Sequence, residues 1–166
     1  MTRNSNKEKG FVVNDKPEEW NLQNTLLSVF ASFIVLNLFV DAKLATVILL
    51  GFLAHEAGHC IAYRFYGKTI TSVIITPISG TSFHGGDAIV VGRQDIVVSL
   101  SGPIFGLTYA VGLLVLSIVS KDISLFSLIP FVVMWNVMEL LPIPMLDGSV
   151  FLRLGYQAFT KHNAIT

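Results

Sequence analysis

Four long apolar stretches, separated by short polar turns, set the plan of the chain. Asn21 to Val40 carries no charge, and its twenty residues, as a helix rising about 1.5 Å per residue, cover roughly 30 Å, the hydrocarbon thickness of a bilayer. Asp41-Ala42-Lys43 reads as a tight polar turn, so the next stretch, Leu44 to about Tyr66, is expected to return antiparallel. Gly67 ends it, with Arg64 and Lys68 at the boundary. Ile96 to Ser120 makes a third span, with Gly102 and Gly106 at a spacing that lets helices approach closely and Gly102-Pro103 as a candidate local break. Beyond Lys121-Asp122, Ile123 to Met138 opens a fourth, in which Pro130 predicts a kink.

Two segments break this helical period. From Thr69 to Gly92 a run rich in β-branched residues, Thr69 to Thr76, is followed by Pro77, Gly80, Gly85 and Gly86, which predicts one or two short strands with a hairpin. At the end of the fourth span, Glu139-Leu140-Leu141-Pro142-Ile143-Pro144-Met145-Leu146-Asp147-Gly148 stays apolar while its alternate prolines forbid a regular helix. Broken backbone at membrane depth is tolerated where it is buried in protein or lines a wet cavity. Ser149 to Lys161 then reads as a short terminal helix. Met1 to Trp20 is a polar arm without the early apolar core of a cleavable signal, which leaves residues 21–166 as one membrane-embedded domain.

Composition agrees with that class. Hydrophobic residues make up 52% and charged residues 13% of the 166, with a mean hydropathy of +0.66, values too apolar for an ordinary soluble domain. A net charge of zero offers no electrostatic case for nucleic acid. The single cysteine, Cys60, cannot form an internal disulfide and reads as a small buried thiol.

The chemistry sits in the second span, at His55-Glu56-Ala57-Gly58-His59. Residues at i and i+4 share a helix face, so both imidazoles can reach one metal ion while Glu56 addresses a water on it. Ionisable groups inside an apolar span call for a functional reason. A third ligand is expected from Asp147, which broken backbone frees from helical geometry. His84, His162, Asp87, Asp95 and Asp122 are weaker candidates, lying in loops, in the tail or at boundaries.

His55-Glu56-Ala57-Gly58-His59, Ser101-Gly102-Pro103 and Leu140-Leu141-Pro142-Ile143-Pro144-Met145-Leu146-Asp147-Gly148 together resemble the site-2 protease family of intramembrane zinc metalloproteases, over about Leu44 to Gly148. The resemblance implies Zn2+ held by His55, His59 and Asp147, with Glu56 as acid/base in hydrolysis of a peptide bond in a transmembrane substrate. It implies a minimal core, a length that leaves no room for the PDZ or CBS domain of some relatives. The chain departs from the family pattern at Glu139, where asparagine is usual, and at Gly106, where asparagine often follows the Gly-Pro. Glu139 and Asn136 are therefore candidates for substrate or oxyanion contacts. The strand near Thr69 to Thr76 is a candidate for pairing with an unwound substrate, or for a cap over the site.

The expected fold is mainly α: four transmembrane helices with a β-hairpin-like segment between the second and third. Lys and Arg number nine in the amino-terminal arm, the 64–93 boundary and the tail, against two, Lys43 and Lys121, on the opposite side. The positive-inside rule then predicts a multi-pass protein of the cell membrane with both termini cytoplasmic. The expected partners are a membrane-protein substrate with a transmembrane helix and the bilayer. Two other functions fit the sequence: an inactive relative that binds a membrane partner, and a membrane metal-handling protein, which should show further ligands along a path.

Overall fold

Side-chain caps open three of the four apolar helices, those that start at Leu22, Ala42 and Ile123. A computed structural model describes residues 21–84, 92–144 and 146–163, so the arm before Asn21, with Trp20, lies outside the described residues, as does Asp87. Asn21 accepts a hydrogen bond from the Asn24 N–H at 3.0 Å and starts α1, Leu22–Leu36. Asp41 accepts from the Lys43 and Leu44 N–H groups and starts α2, Ala42–Phe65. Gly67, at a φ of +68°, lets the chain turn out of α2. β1, Ile70–Ile75, and β2, Gly80–His84, form the expected antiparallel hairpin. α3, Arg93–Ser120, and α4, Ile123–Glu139, follow, the latter capped by Asp122, and α5, Ser149–Asn163, closes the chain.

The architecture is thus mainly helical with one small hairpin. α2 and α3, of 24 and 28 residues, are long and apolar enough to cross a membrane. α1 and α4 are apolar but shorter, at 15 and 17 residues, because the first helix stops at Leu36 rather than running to Val40 and the fourth is confined between Asp122 and the prolines. The expected break at Gly102-Pro103 does not occur: α3 runs on through Pro103, with both residues buried. Large apolar side chains such as Phe39, Val119 and Ile123 stand largely exposed on the outer surface, as a bilayer would require and water would penalise.

α2 is the central element. One apolar cluster packs it against α1 and β1 through Leu49, Phe52, Ile70, Val73 and Ile75. A second packs it against α3 and α4 through Val47, Ala110, Leu113 and Val132. The β1 edge that does not face β2 is closed by α1. Thr25 Oγ accepts from the Val73 N–H, Ser28 Oγ accepts from the Ile75 N–H at 3.0 Å, and Ser32 Oγ donates to the Ile75 carbonyl at 2.8 Å. Just before α1, the Asn21 N–H donates to the Thr71 carbonyl. A helix has no spare backbone groups to pair with a strand edge, so hydroxyls spaced along one face of α1 take that role. Pairing of a substrate with the Thr69–Thr76 strand is therefore closed off on both of its edges; β2 has the remaining edge of the sheet.

Candidate metal centre

Helical geometry brings His55 and His59 to one face of α2, and their Nε2 atoms lie 3.1 Å apart. Asp147 arrives from the loop that follows α4. Its Oδ2 stands 3.1 Å from His55 Nε2 and 3.2 Å from His59 Nε2. A tetrahedral zinc with bonds of about 2.0–2.1 Å needs ligand atoms spaced roughly 3.3 Å apart, which this triangle approaches on every side. The expected trio is thus brought together, as the one group of three or more potential ligands found among the described residues.

The prolines and Gly148 explain how Asp147 reaches the site. Pro142 and Pro144 end α4, and the loop folds back until the Gly148 N–H donates to the Glu139 carbonyl at 2.8 Å. At Gly148 a β-carbon would collide with the main chain of Leu140 and Leu141, so only glycine permits this return. Val150, fully buried, and an ion pair between Arg153 and buried Asp95 fasten α5 to the start of α3. Asp95 is thereby occupied away from His55, His59 and Asp147.

Each histidine is oriented from behind. His55 Nδ1 meets Asn136 Oδ1 at 2.9 Å, and Asn136 Nδ2 donates to the Val132 carbonyl at 2.8 Å. That second bond fixes the amide's orientation, so its oxygen faces the imidazole and Nδ1 carries the proton. His59 Nδ1 donates to the Val98 carbonyl at 2.8 Å. Both Nε2 lone pairs are left pointing at the Asp147 carboxylate. Asp147 Oδ2 is the one buried side-chain polar atom among the described residues without a hydrogen-bond partner. An orphaned carboxylate oxygen facing two nitrogen lone pairs is repulsive unless a cation sits between them, so the donor set fits a zinc ion.

Glu56 projects beside the trio from α2, buried, with the Ser82 hydroxyl of β2 donating to its Oε2. A cavity of about 620 Å³ opens over all four residues, floored by Ser79 to Ser82 and bounded by Glu139 on the far side. Gly102 faces the two imidazoles directly: a β-carbon there would stand 2.7 Å from His55 Nε2 and nearer still to His59 Nε2. The Gly-Pro pair therefore keeps α3 clear of the site. Pro103 also gives no N–H to the carbonyl one turn back, that of Ser99, which lines the same cavity.

Asn136 and Glu139 are placed differently. Asn136 is 1% exposed and engaged on both sides, whereas Glu139 lines the open cavity. Asp122 lies at the far turn, and the side chains of His84 and His162 lie outside the described residues. Sequence reasoning missed Ser82 and the Val98 carbonyl, since neither a lone serine nor a backbone oxygen carries a pattern to read.

No protein-family model matches the chain, and no curated protein matches it in sequence. Among solved structures it is similar to the Site-2 Protease from Methanocaldococcus jannaschii, with a TM-score of 0.58 and 21% identity. The match covers 81% of this chain and 65% of that one, so the chain spans less than two thirds of the archaeal protein's length. The likeness is one of fold.

Proposed function

We propose that this chain is an intramembrane zinc metalloprotease that hydrolyses a peptide bond within or near a transmembrane segment of a membrane-protein substrate. The observation that carries the reading is the convergence of His55 Nε2, His59 Nε2 and Asp147 Oδ2 within 3.2 Å of one another beside buried Glu56. The fold shared with a site-2 protease supports it independently.

His55, His59 and Asp147 would hold the metal, which when bound supplies Lewis acidity toward water and a carbonyl oxygen. Glu56 takes the proton of the attacking water and delivers it to the leaving amine. Its hydrogen bond from Ser82 aims the carboxylate. Asn136 and Val98 hold the imidazole tautomers. A membrane helix hides its peptide groups in its own hydrogen bonds, so the substrate unwinds locally and lies along β2, the strand nearest Glu56. Four membrane spans with both termini in the cytoplasm complete the proposal.

Zinc content and cleavage of a reporter span, compared between wild type and Glu56→Gln, test it. Wild type cleaves and binds one zinc; Glu56→Gln keeps the zinc and loses cleavage, because Glu56 works on the proton and not on the metal. Intact reporter with zinc-loaded wild type rejects the protease reading in favour of a partner-binding relative.

A further inference from the structure

A second cavity, of about 220 Å³, lies beside the metal cavity, and the two share Phe52, Ile78 and Trp135 as a common wall. It is framed by α2, α4 and the hairpin turn at Pro77-Ile78. Its lining is apolar apart from Asn136, whose amide is committed to His55 and the Val132 carbonyl. Water gains no partners there. A dry cavity of about 150 Å³ with such walls accepts a benzene ring, so this volume suits one large aliphatic or aromatic side chain and is too small for a helix.

Its position relative to the chemistry narrows the occupant. Phe52 precedes His55 by three residues, close to one helical turn, and Trp135 adjoins Asn136, which holds His55. The Phe52 and Trp135 rings pack at a centroid distance of 5.1 Å and form the partition between the two cavities. An extended chain lying along β2 over Glu56 rises about 3.3 Å per residue and alternates its side chains, so a residue within one or two positions of the cleaved bond reaches past Ile78 into this space.

We infer that this cavity is the specificity subsite of the protease, taking a bulky apolar side chain of the transmembrane substrate next to the scissile bond. The inference rests on the proposed proteolytic function and names the residue class that the enzyme selects. An apolar pocket discriminates by size, and a difference of a methylene or more is worth about tenfold or more in kcat/KM.

The test uses the full chain, zinc-loaded and reconstituted in vesicles, with a series of single-span reporters carrying Ala, Leu, Phe or Asn at each position near the cleavage site. At one position Leu or Phe should exceed Ala and Asn by about tenfold or more. Ile78→Trp, at a position 73% exposed and so tolerant of change, should fill the mouth and reverse that preference toward Ala. Trp135→Ala should widen the preference to larger side chains. A second arm does not depend on cleavage: a benzophenone side chain at the preferred position, bound to Glu56→Gln, should crosslink to Ile78, Met134 or Trp135. Cleavage with no size preference at any position, or crosslinks confined to α1 or to lipid acyl chains, overturns the subsite while leaving the protease reading intact. Intact reporters with zinc-loaded wild type remove the protease reading, and the crosslinks then decide whether the cavity holds substrate at all.

Discussion

Asn136 of α4 holds His55 of α2: its side-chain oxygen lies 2.9 Å from the imidazole Nδ1, in a site where Asn136 is 1% exposed. The family whose motifs this chain resembles often has an asparagine shortly after its Gly-Pro, where this chain has Gly106. Space accounts for the exchange, because any β-carbon at Gly106 would overlap the Asn136 side chain. The amide is thus delivered from α4 into room that α3 vacates.

Removing that amide should weaken zinc binding more than it weakens the fold. Partners behind a metal-bound histidine typically contribute 10- to 100-fold in affinity. Asn136→Ala should lose zinc affinity by about that factor, while Asn136→Asp, which still accepts from Nδ1, should retain it. Titration against a zinc chelator reads this directly; equal affinity in Asn136→Ala would reduce the contact to packing.

Gly102→Ala should abolish zinc binding with the helices intact. The new methyl would stand where both imidazole rings meet the ion, and α3 is held to α2 too firmly to retreat. Metal analysis beside far-ultraviolet circular dichroism separates a blocked site from an unfolded one. Zinc retained at wild-type affinity in Gly102→Ala would mean that the ion sits elsewhere.

Glu139 stands at the rim of the cavity, at a position where the family whose motifs this chain resembles usually has asparagine. A carboxyl facing that space can accept or, when protonated, donate a hydrogen bond to a substrate carbonyl, as an amide does. Glu139→Asn and Glu139→Gln should then keep most of the activity. Glu139→Ala should lose about 10²-fold or more in kcat, the loss typical of removing one such donor, while keeping zinc. Wild-type cleavage by Glu139→Ala would leave it a boundary glutamate.

Much of this was legible because the motifs carry their own geometry. The i, i+4 histidines can only share a face, the Pro-x-Pro run can only be a broken segment, and Gly67 stops α2 at a positive φ. The hairpin at 70–84 follows from β-branched residues ended by Pro77 and Gly80. What could not be read depends on contacts between distant segments. Asn136 offers the same letters whether it meets substrate or His55, and only the packing of α4 on α3 decides. The hydroxyls Thr25, Ser28 and Ser32 are ordinary helix residues until β1 is known to lie beside them. The continuity of α3 through Gly102-Pro103 is likewise a result of packing on α2, which overrides the local preference to break.

Lys43 Nζ lies 2.5 Å from Asp122 Oδ2, and this hydrogen-bonded ammonium, with Ser124, holds the Asp122 carboxyl well below the usual carboxylate range. A folded-state pKa below the unfolded value of about 3.9 stabilises the fold above that pH, and the contribution is lost as pH falls through the folded pKa. The Tm difference between wild type and Asp122→Asn, which keeps the cap, should stay level from pH 7 to 5 and shrink only below about pH 4. Both groups are exposed, so the difference should be small and should shrink further in high salt. A difference that grew on acidification would reverse the sign and remove the pair as its cause.

The same pair sets an expectation for topology. It ties the start of α2 to the start of α4, so both helices begin at one end of the bundle, where Lys43 and Lys121 lie. If α1 to α4 all cross, the other nine basic residues, in the arm, the 64–93 boundary and the tail, would fall on the opposite side. Basic residues near the ends of spans are retained on the cytoplasmic side, and nine outweigh two. Reporter tags fused before Thr2 and after Thr166 should therefore both read cytoplasmic, and a cysteine at Lys121 should be labelled from outside by a reagent that does not cross membranes. Tags on opposite faces would require an odd number of crossings, so one of the two shorter helices, α1 or α4, would not span. Both tags outside, with Lys121 protected, would keep four crossings and turn the charge argument over.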